Sequence, residues 1–136
     1  MVKDIVRDAF FLSQKSDEAT KADLQVVQDL EDTLKANRDR CVGMAANMIG
    51  YRKKIIIVAT GFADIVMINP VITAKSEPYE TEEGCLSLPG TRKTTRYKRI
   101  TVRYLNKRFD EHVQDFSGYI AQIIHHEIDH FSGKLI

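Results

Sequence analysis

With 136 residues, 43% of them hydrophobic and 29% charged, the chain is long enough for one domain with its own core and too short for two, so residues 1–136 are expected to form a single domain. Twenty basic against nineteen acidic residues leave a formal charge of +1, which excludes a global field steering the chain onto nucleic acid or an anionic membrane. The longest apolar runs, such as Ile55 to Ala59, fall far short of the roughly 20 residues of a membrane span.

Asp4 and Asp8 interrupt the stretch where a secretory signal needs an unbroken apolar region. The two cysteines, Cys41 and Cys85, are too few for a disulfide framework, so a reducing, cytoplasmic setting is expected. From Thr20 the pattern turns helical. Leu24, Val27, Leu30 and Leu34 recur at spacings of three and four, and Thr20 with Asp23 forms an N-terminal capping signal for a helix from Lys21 to about Lys35. Cys41 to Gly50 is a run of small residues in which backbone can approach a ligand or another strand closely. Ile55 to Ala59 and Ile65 to Asn69 read as two strands joined by a turn, the second closed by Asn69-Pro70.

The basic run from Arg92 to Arg103 is interleaved with Thr, Tyr and Ile, which reads as a solvated strand face. Within it Ile100, Val102 and Tyr104 alternate with Thr101, Arg103 and Leu105, the period of a strand with one buried face. Asn106 to Asp110 is its turn and Glu111 to Val113 its return partner. The last helix is expected from about Asp115 to Phe131, with Phe116, Tyr119, Ile120, Ile123, Ile124 and Ile128 on its apolar side and Gly133 as its stop. Helix, strands, then helix predicts an α+β domain with a largely antiparallel sheet packed on the final helix.

That helix carries His126-Glu127-Ile128-Asp129-His130. Residues four apart lie one turn up the same face, so His126 and His130 can offer nitrogens to one metal ion, with Glu127 rotated about 100° away. A plain alternative is a pair of surface histidines whose charge suits the helix dipole. A catalytic metal needs a third ligand, and no His, Glu, Asp or Cys follows His130, so the ligand must lie upstream. Cys85, inside Glu82-Glu83-Gly84-Cys85-Leu86-Ser87, is the candidate, since a thiolate with two imidazoles suits zinc or ferrous iron. A buried free cysteine is its bland counterpart.

Glu83 to Ser87, His126 to His130 and Gly43-Met44-Ala45-Ala46 together resemble, in order and rough spacing, the three signature motifs of peptide deformylases, and Asn69-Pro70, Arg92 and Gly133-Lys134-Leu135 add to the likeness. The resemblance implies an α+β fold in which largely antiparallel sheets pack on a central C-terminal helix. It implies a hydrolase of protein biosynthesis and N-terminal methionine processing, which removes the formyl group from the formyl-methionine of nascent polypeptides. One divalent metal, natively ferrous iron with nickel, cobalt or zinc as substitutes, would be held by Cys85, His126 and His130. Metal-activated water would attack the formyl carbon with Glu127 as general acid/base and the Leu86 amide facing the oxyanion. Val42, Gly43, Gly84, Tyr119 and Ile123 would contact substrate, the peptide lying as an added strand beside Val42 and Gly43. The partners implied are N-formylmethionyl peptides and a transient neighbourhood to the ribosome, without direct nucleic-acid or membrane binding.

The sequence departs from that pattern at several places. Cys41 replaces the first glycine of the first motif, and Met48 stands where a glutamine donates to the oxyanion; a thioether cannot donate, and losing such a donor costs about 10²–10³ in turnover in a well-studied hydrolase. Asn47, in a segment read as extended, would point the other way. Gln122 falls at an often apolar position of the methionine pocket, His125 replaces a common glutamine, and the C-terminal extension of many members does not follow the third motif. Met48 leaves open a deformylase-like paralogue with weak or no such activity, acting on another small acyl amide or serving as a metal-bearing binding module. Cys41 leaves open a closed structural zinc site or an oxidised Cys41–Cys85 pair.

Overall fold

The computed structural model describes residues 1–134; Leu135 of the closing motif lies outside the described residues. After a short helix α1 (Ala9–Leu12), Thr20 caps a 3-10 turn at Lys21–Asp23 that leads into α2 (Leu24–Ala36). The cap is reciprocal: Ala22 N donates to Thr20 Oγ1 at 3.2 Å and Thr20 N donates to Asp23 Oδ2 at 2.8 Å. Val27, Leu30 and Leu34 are buried as their spacing predicts, whereas Leu24, at the very start of α2, stays exposed.

Five antiparallel strands form one sheet in the order β1 (Gly43–Ala45), β2 (Ile55–Ala59), β3 (Asp64–Cys85), β4 (Leu88–Leu105) and β5 (Glu111–Ser117). Ile55 to Val58 are buried at every consecutive position, so both faces of β2 are covered, and α2 and the last helix, α3 (Gly118–Asp129), both pack against this strand. β1 is an edge: it pairs with β2 and has no strand on its other side among the described residues.

The strand expected to end at Asn69-Pro70 continues for sixteen residues, to Cys85. Asn69 adopts φ 51° at a shift of register between Ile68 and Val71, so the pair makes a bulge and not a stop. Its carboxamide pairs with the Ala19 backbone, accepting from N at 2.8 Å and donating to O at 3.0 Å. β3 and β4 thus form one long hairpin with Cys85 near its tip. Ile100, Val102 and Tyr104 are buried as their alternation requires. The Asn106 to Asp110 turn is closed by Asn106 N donating to Asp110 O at 3.0 Å.

The return strand runs past Val113 to Ser117, and α3 begins three residues later than the expected Asp115. Asp115 and Phe116 belong to the ladder opposite Thr101 and Ile100, where Thr101 Oγ1 donates to Asp115 Oδ1 at 2.6 Å. Gly118, at φ 63°, makes the break, a conformation that side chains with a Cβ rarely adopt. The chain continues from α3 into a 3-10 turn at His130–Ser132 and stops at Gly133, as expected. No helix of the described residues is long and apolar enough to cross a membrane.

Candidate metal centre

α3 and the hairpin tip meet where the sequence places its donors. One atom each from Cys85, His126 and His130 lies within 4.8 Å of the others, the three residues that spacing and residue type single out. The Cys85 Sγ to His130 Nε2 separation is 3.6 Å, and Glu127 Oε1 lies 3.7 Å from the same nitrogen. Two buried polar atoms here, Glu127 Oε1 and His130 Nδ1, have no hydrogen-bond partner. A soft sulfur, two imidazoles and an unpartnered buried carboxylate fit a thiophilic divalent ion with one position left for a small molecule.

The outer groups were less legible. Glu83 accepts from His126 Nδ1 at 2.8 Å, which turns Nε2 toward the donor cluster. Glu83 is in turn gripped by Arg96, whose Nε and Nη2 donate to it at 2.9 and 2.7 Å while Nη1 donates to Asp129 Oδ2 at 2.6 Å. Gln122 Nε2 completes the shell of Glu83 at 2.8 Å and its Oε1 accepts from Tyr79 at 3.3 Å. Here the expectation of a solvated basic face fails at one position. Lys93, Lys98, Arg99 and Arg103 are exposed, but Arg96 is 1% exposed because two carboxylates require its charge inside.

Burial shapes the ionisation of the metal-free cluster. Burial raises the Glu127 carboxyl to about 7, with His126 pulling the other way. Burial also opposes charge on both histidines. At His126 the Cys85 and Glu83 partners outweigh it and lift the imidazole to about 10, while at His130 nothing does and it falls to about 3. Burial acts against Glu83 too, but hydrogen bonds from His126, Arg96 and Gln122 hold it well below the usual carboxylate range.

Beside the cluster lies a cavity of about 330 Å³. Val42, Gly43, Gly84, Tyr119 and Ile123, the expected substrate contacts, all line it. So do Leu86 and Met48. Gly43 is there for space: a Cβ on it would stand 2.6 Å from Ile123 Cγ2 and 3.0 Å from Glu127 Oε2, so only glycine lets β1 close on α3. The first motif also departs from the extended form expected after Ala45, since Ala46–Ile49 is a 3-10 turn. Asn47 Nδ2 donates to His130 O at 3.3 Å, and the buried Met48 Sδ lies 3.4 Å from Ala45 N.

Both cysteines are free, and Cys41 stands apart from the donor cluster. Its thiol donates to Gly43 O at 2.9 Å, and burial, seconded by Glu127, pushes it up to about 11. This geometry provides neither a fourth thiolate ligand nor a Cys41–Cys85 bridge. Sequence reasoning missed Arg7, whose Nη1 donates to Leu86 O at 2.9 Å; with Val6 N donating to Met48 O at 2.8 Å, residues 6–7 tie the first and second motifs together.

A family model described as polypeptide deformylase matches residues 3–136. A peptide deformylase of Clostridium beijerinckii is 57% identical over 136 residues, covering 100% of both chains. Another from Carboxydothermus hydrogenoformans is 38% identical over 119 residues, 87% of this chain and 77% of that one. Among solved structures, the peptide deformylase of Thermotoga maritima superposes with a TM-score of 0.89 at 28% identity, covering 99% of this chain and 95% of that one. A class I type b peptide deformylase of Acinetobacter baumannii with Met-Ala-Ser bound gives 0.89 at 28% identity, covering 99% and 97%.

Proposed function

The chain belongs to the polypeptide deformylase family and hydrolyses the formyl amide at the amino terminus of nascent polypeptides, and from this premise we propose how its own residues, as a single domain over 1–136, divide that work. Cys85, His126 and His130 hold one divalent metal, natively ferrous iron, with nickel, cobalt or zinc able to substitute. When bound, that ion supplies Lewis-acid polarisation of the formyl group and lowers the pKa of water at the site. Glu127, buried and lifted to about 7, takes a proton from the attacking water and later delivers it to the departing amine. The Leu86 N–H donates to the oxyanion. The open edge of β1 at Gly43, together with Val42 just before it, receives the extended peptide, as in strand addition, and the methionine side chain enters beside Gly84, Tyr119 and Ile123. Substrates of this class emerge from the ribosome, so on this reading the chain works near it, in the cytoplasm.

The observation that carries these assignments is the convergence of the three donor atoms within 4.8 Å beside the buried, unpartnered carboxylate of Glu127. The test is formate release from a formyl-methionyl tripeptide by protein loaded anaerobically with ferrous iron or nickel, one ion per chain. Release that disappears in Glu127→Ala supports the assignment. A second reading rests on Met48, which lines the cavity without a hydrogen to donate. No release from the fully loaded protein would favour that reading, a paralogue acting on another small acyl amide or binding without turnover.

A further inference from the structure

The rim of the cavity carries a cation that the proposed chemistry does not use. Arg40 is exposed and lines the same cavity as Cys85 and Gly43. Its side chain is fixed: Nε and Nη2 donate to Asn37 Oδ1 at 3.2 and 2.9 Å, and Asn37, itself buried, is anchored by Nδ2 donating to Thr33 O at 2.8 Å. Among the described residues Arg40 pairs with no carboxylate, unlike Arg38, Arg96 and Arg99. The guanidinium is therefore preoriented over the cavity mouth with donors to spare.

The path of a bound peptide runs toward it. β1 has its ladder to β2 on one side only, and its free edge begins at Gly43, in contact range of Glu127. A peptide adding antiparallel to that edge, its formylated end at the metal ligands, proceeds past Val42 and Cys41 toward Arg40. Arg40 ends a turn closed by its own N–H donating to Asn37 O at 3.0 Å and lies three residues before Gly43, at most about 11 Å away, a distance that the first three or four residues of an extended peptide can span. Glu82 lines the cavity from β3, so the two walls carry opposite charge and the route along β1 meets the positive one.

We propose that Arg40 is a specificity residue, favouring formylated peptides with an aspartate or glutamate at the third or fourth position over those with a lysine there. The inference rests on the deformylase reading above. An exposed, preoriented ion pair predicts a preference of about threefold over the neutral peptide, weakening at high salt.

The test uses C-terminally amidated peptides, formyl-Met-Ala-Xaa-Xaa-amide with Xaa Asp, Asn or Lys, so that no terminal carboxylate can mimic the side chain. With metal-loaded protein, KM should rise in the order Asp, Asn, Lys while kcat changes little. Arg40→Gln should flatten the order and Arg40→Glu invert it. Equal KM values in the parent protein, or an order that survives Arg40→Glu, would overturn the proposal. The same peptides without the formyl group, titrated by calorimetry, report the ordering without turnover. Their equal affinities would overturn the Arg40 proposal by themselves, whereas a failure to release formate from the Asn peptide counts only against the deformylase reading.

Discussion

Glu83 Oε1 stands 2.8 Å from His126 Nδ1, across 43 residues of sequence, and this contact joins the hairpin tip that carries Cys85 to the helix that carries the two histidines. Since Arg96 holds the same carboxylate, the orientation of the His126 ring depends on a buried ion pair between strands β3 and β4. Replacing Glu83 by Ala should weaken metal affinity about 10- to 100-fold. Competition with a chelator measures it, and unchanged affinity would remove Glu83 from the account of the site.

Arg96 should matter for folding as well. Arg96→Leu leaves the buried Glu83 carboxylate without its partner, and a loss of about 3 kcal/mol is expected in denaturant unfolding. Lys98→Ala, two residues along the same strand but exposed, should cost far less. Equal losses would mean that Arg96 is not bound as described.

For Glu127 the sign of the pH effect follows from burial. Its carboxyl is lifted from 4.5 to about 7, so the metal-free native state holds a proton that the unfolded chain releases near 4.5. Stability from this group is full below about pH 4.5 and is lost as pH rises toward 7, on the order of 3 kcal/mol at about 1.4 kcal/mol per pKa unit. Glu127→Gln should therefore stabilise the metal-free protein at pH 8 but not at pH 4, while formate release falls to background. Thermal unfolding at both pH values decides it: a pH-independent shift would contradict the buried charge.

Gly43→Ala places a methyl where Ile123 and Glu127 already stand. Turnover should fall at least 100-fold while one metal per chain is retained, because no ligand is displaced. Wild-type kcat with the extra methyl would show that β1 does not close on α3 as described.

Met48→Gln tests the missing donor. The side chain lines the cavity, and a carboxamide there should raise kcat about tenfold or more with little change in KM. Unchanged kcat in an active, fully loaded enzyme would show that Leu86 and the metal suffice.

Much of this site was legible because its key part is local. His126, Glu127 and His130 owe their arrangement to helical spacing, and upstream of them Cys85 stood out as a thiol beside a glycine among polar neighbours. Arg96 was hidden for a physical reason. It shares strand parity with Ile100, Val102 and Tyr104, which would mark it as inward, but Lys98 shares that parity and is exposed. Only the approach of Glu83 and Asp129, 13 and 33 residues away, separates the two basic positions Arg96 and Lys98. The length of β3 was hidden too, since Asn69-Pro70 carries the residues of a stop, and its use as a bulge depends on a bond to Ala19, fifty residues earlier. The late start of α3 at Gly118 likewise reflects ladder partners on β4, which no local periodicity reports.

The open edge of β1 is only three residues long and buried at each of them. If a peptide adds to this edge as proposed, a folded protein cannot offer its amino terminus to so recessed a seam; the terminus must be slack, with its backbone hydrogen bonds unmade. The seam would thereby act as a clock. It would admit a chain while its first residues are still unstructured and shut out the same chain once they have joined a helix or sheet of their own.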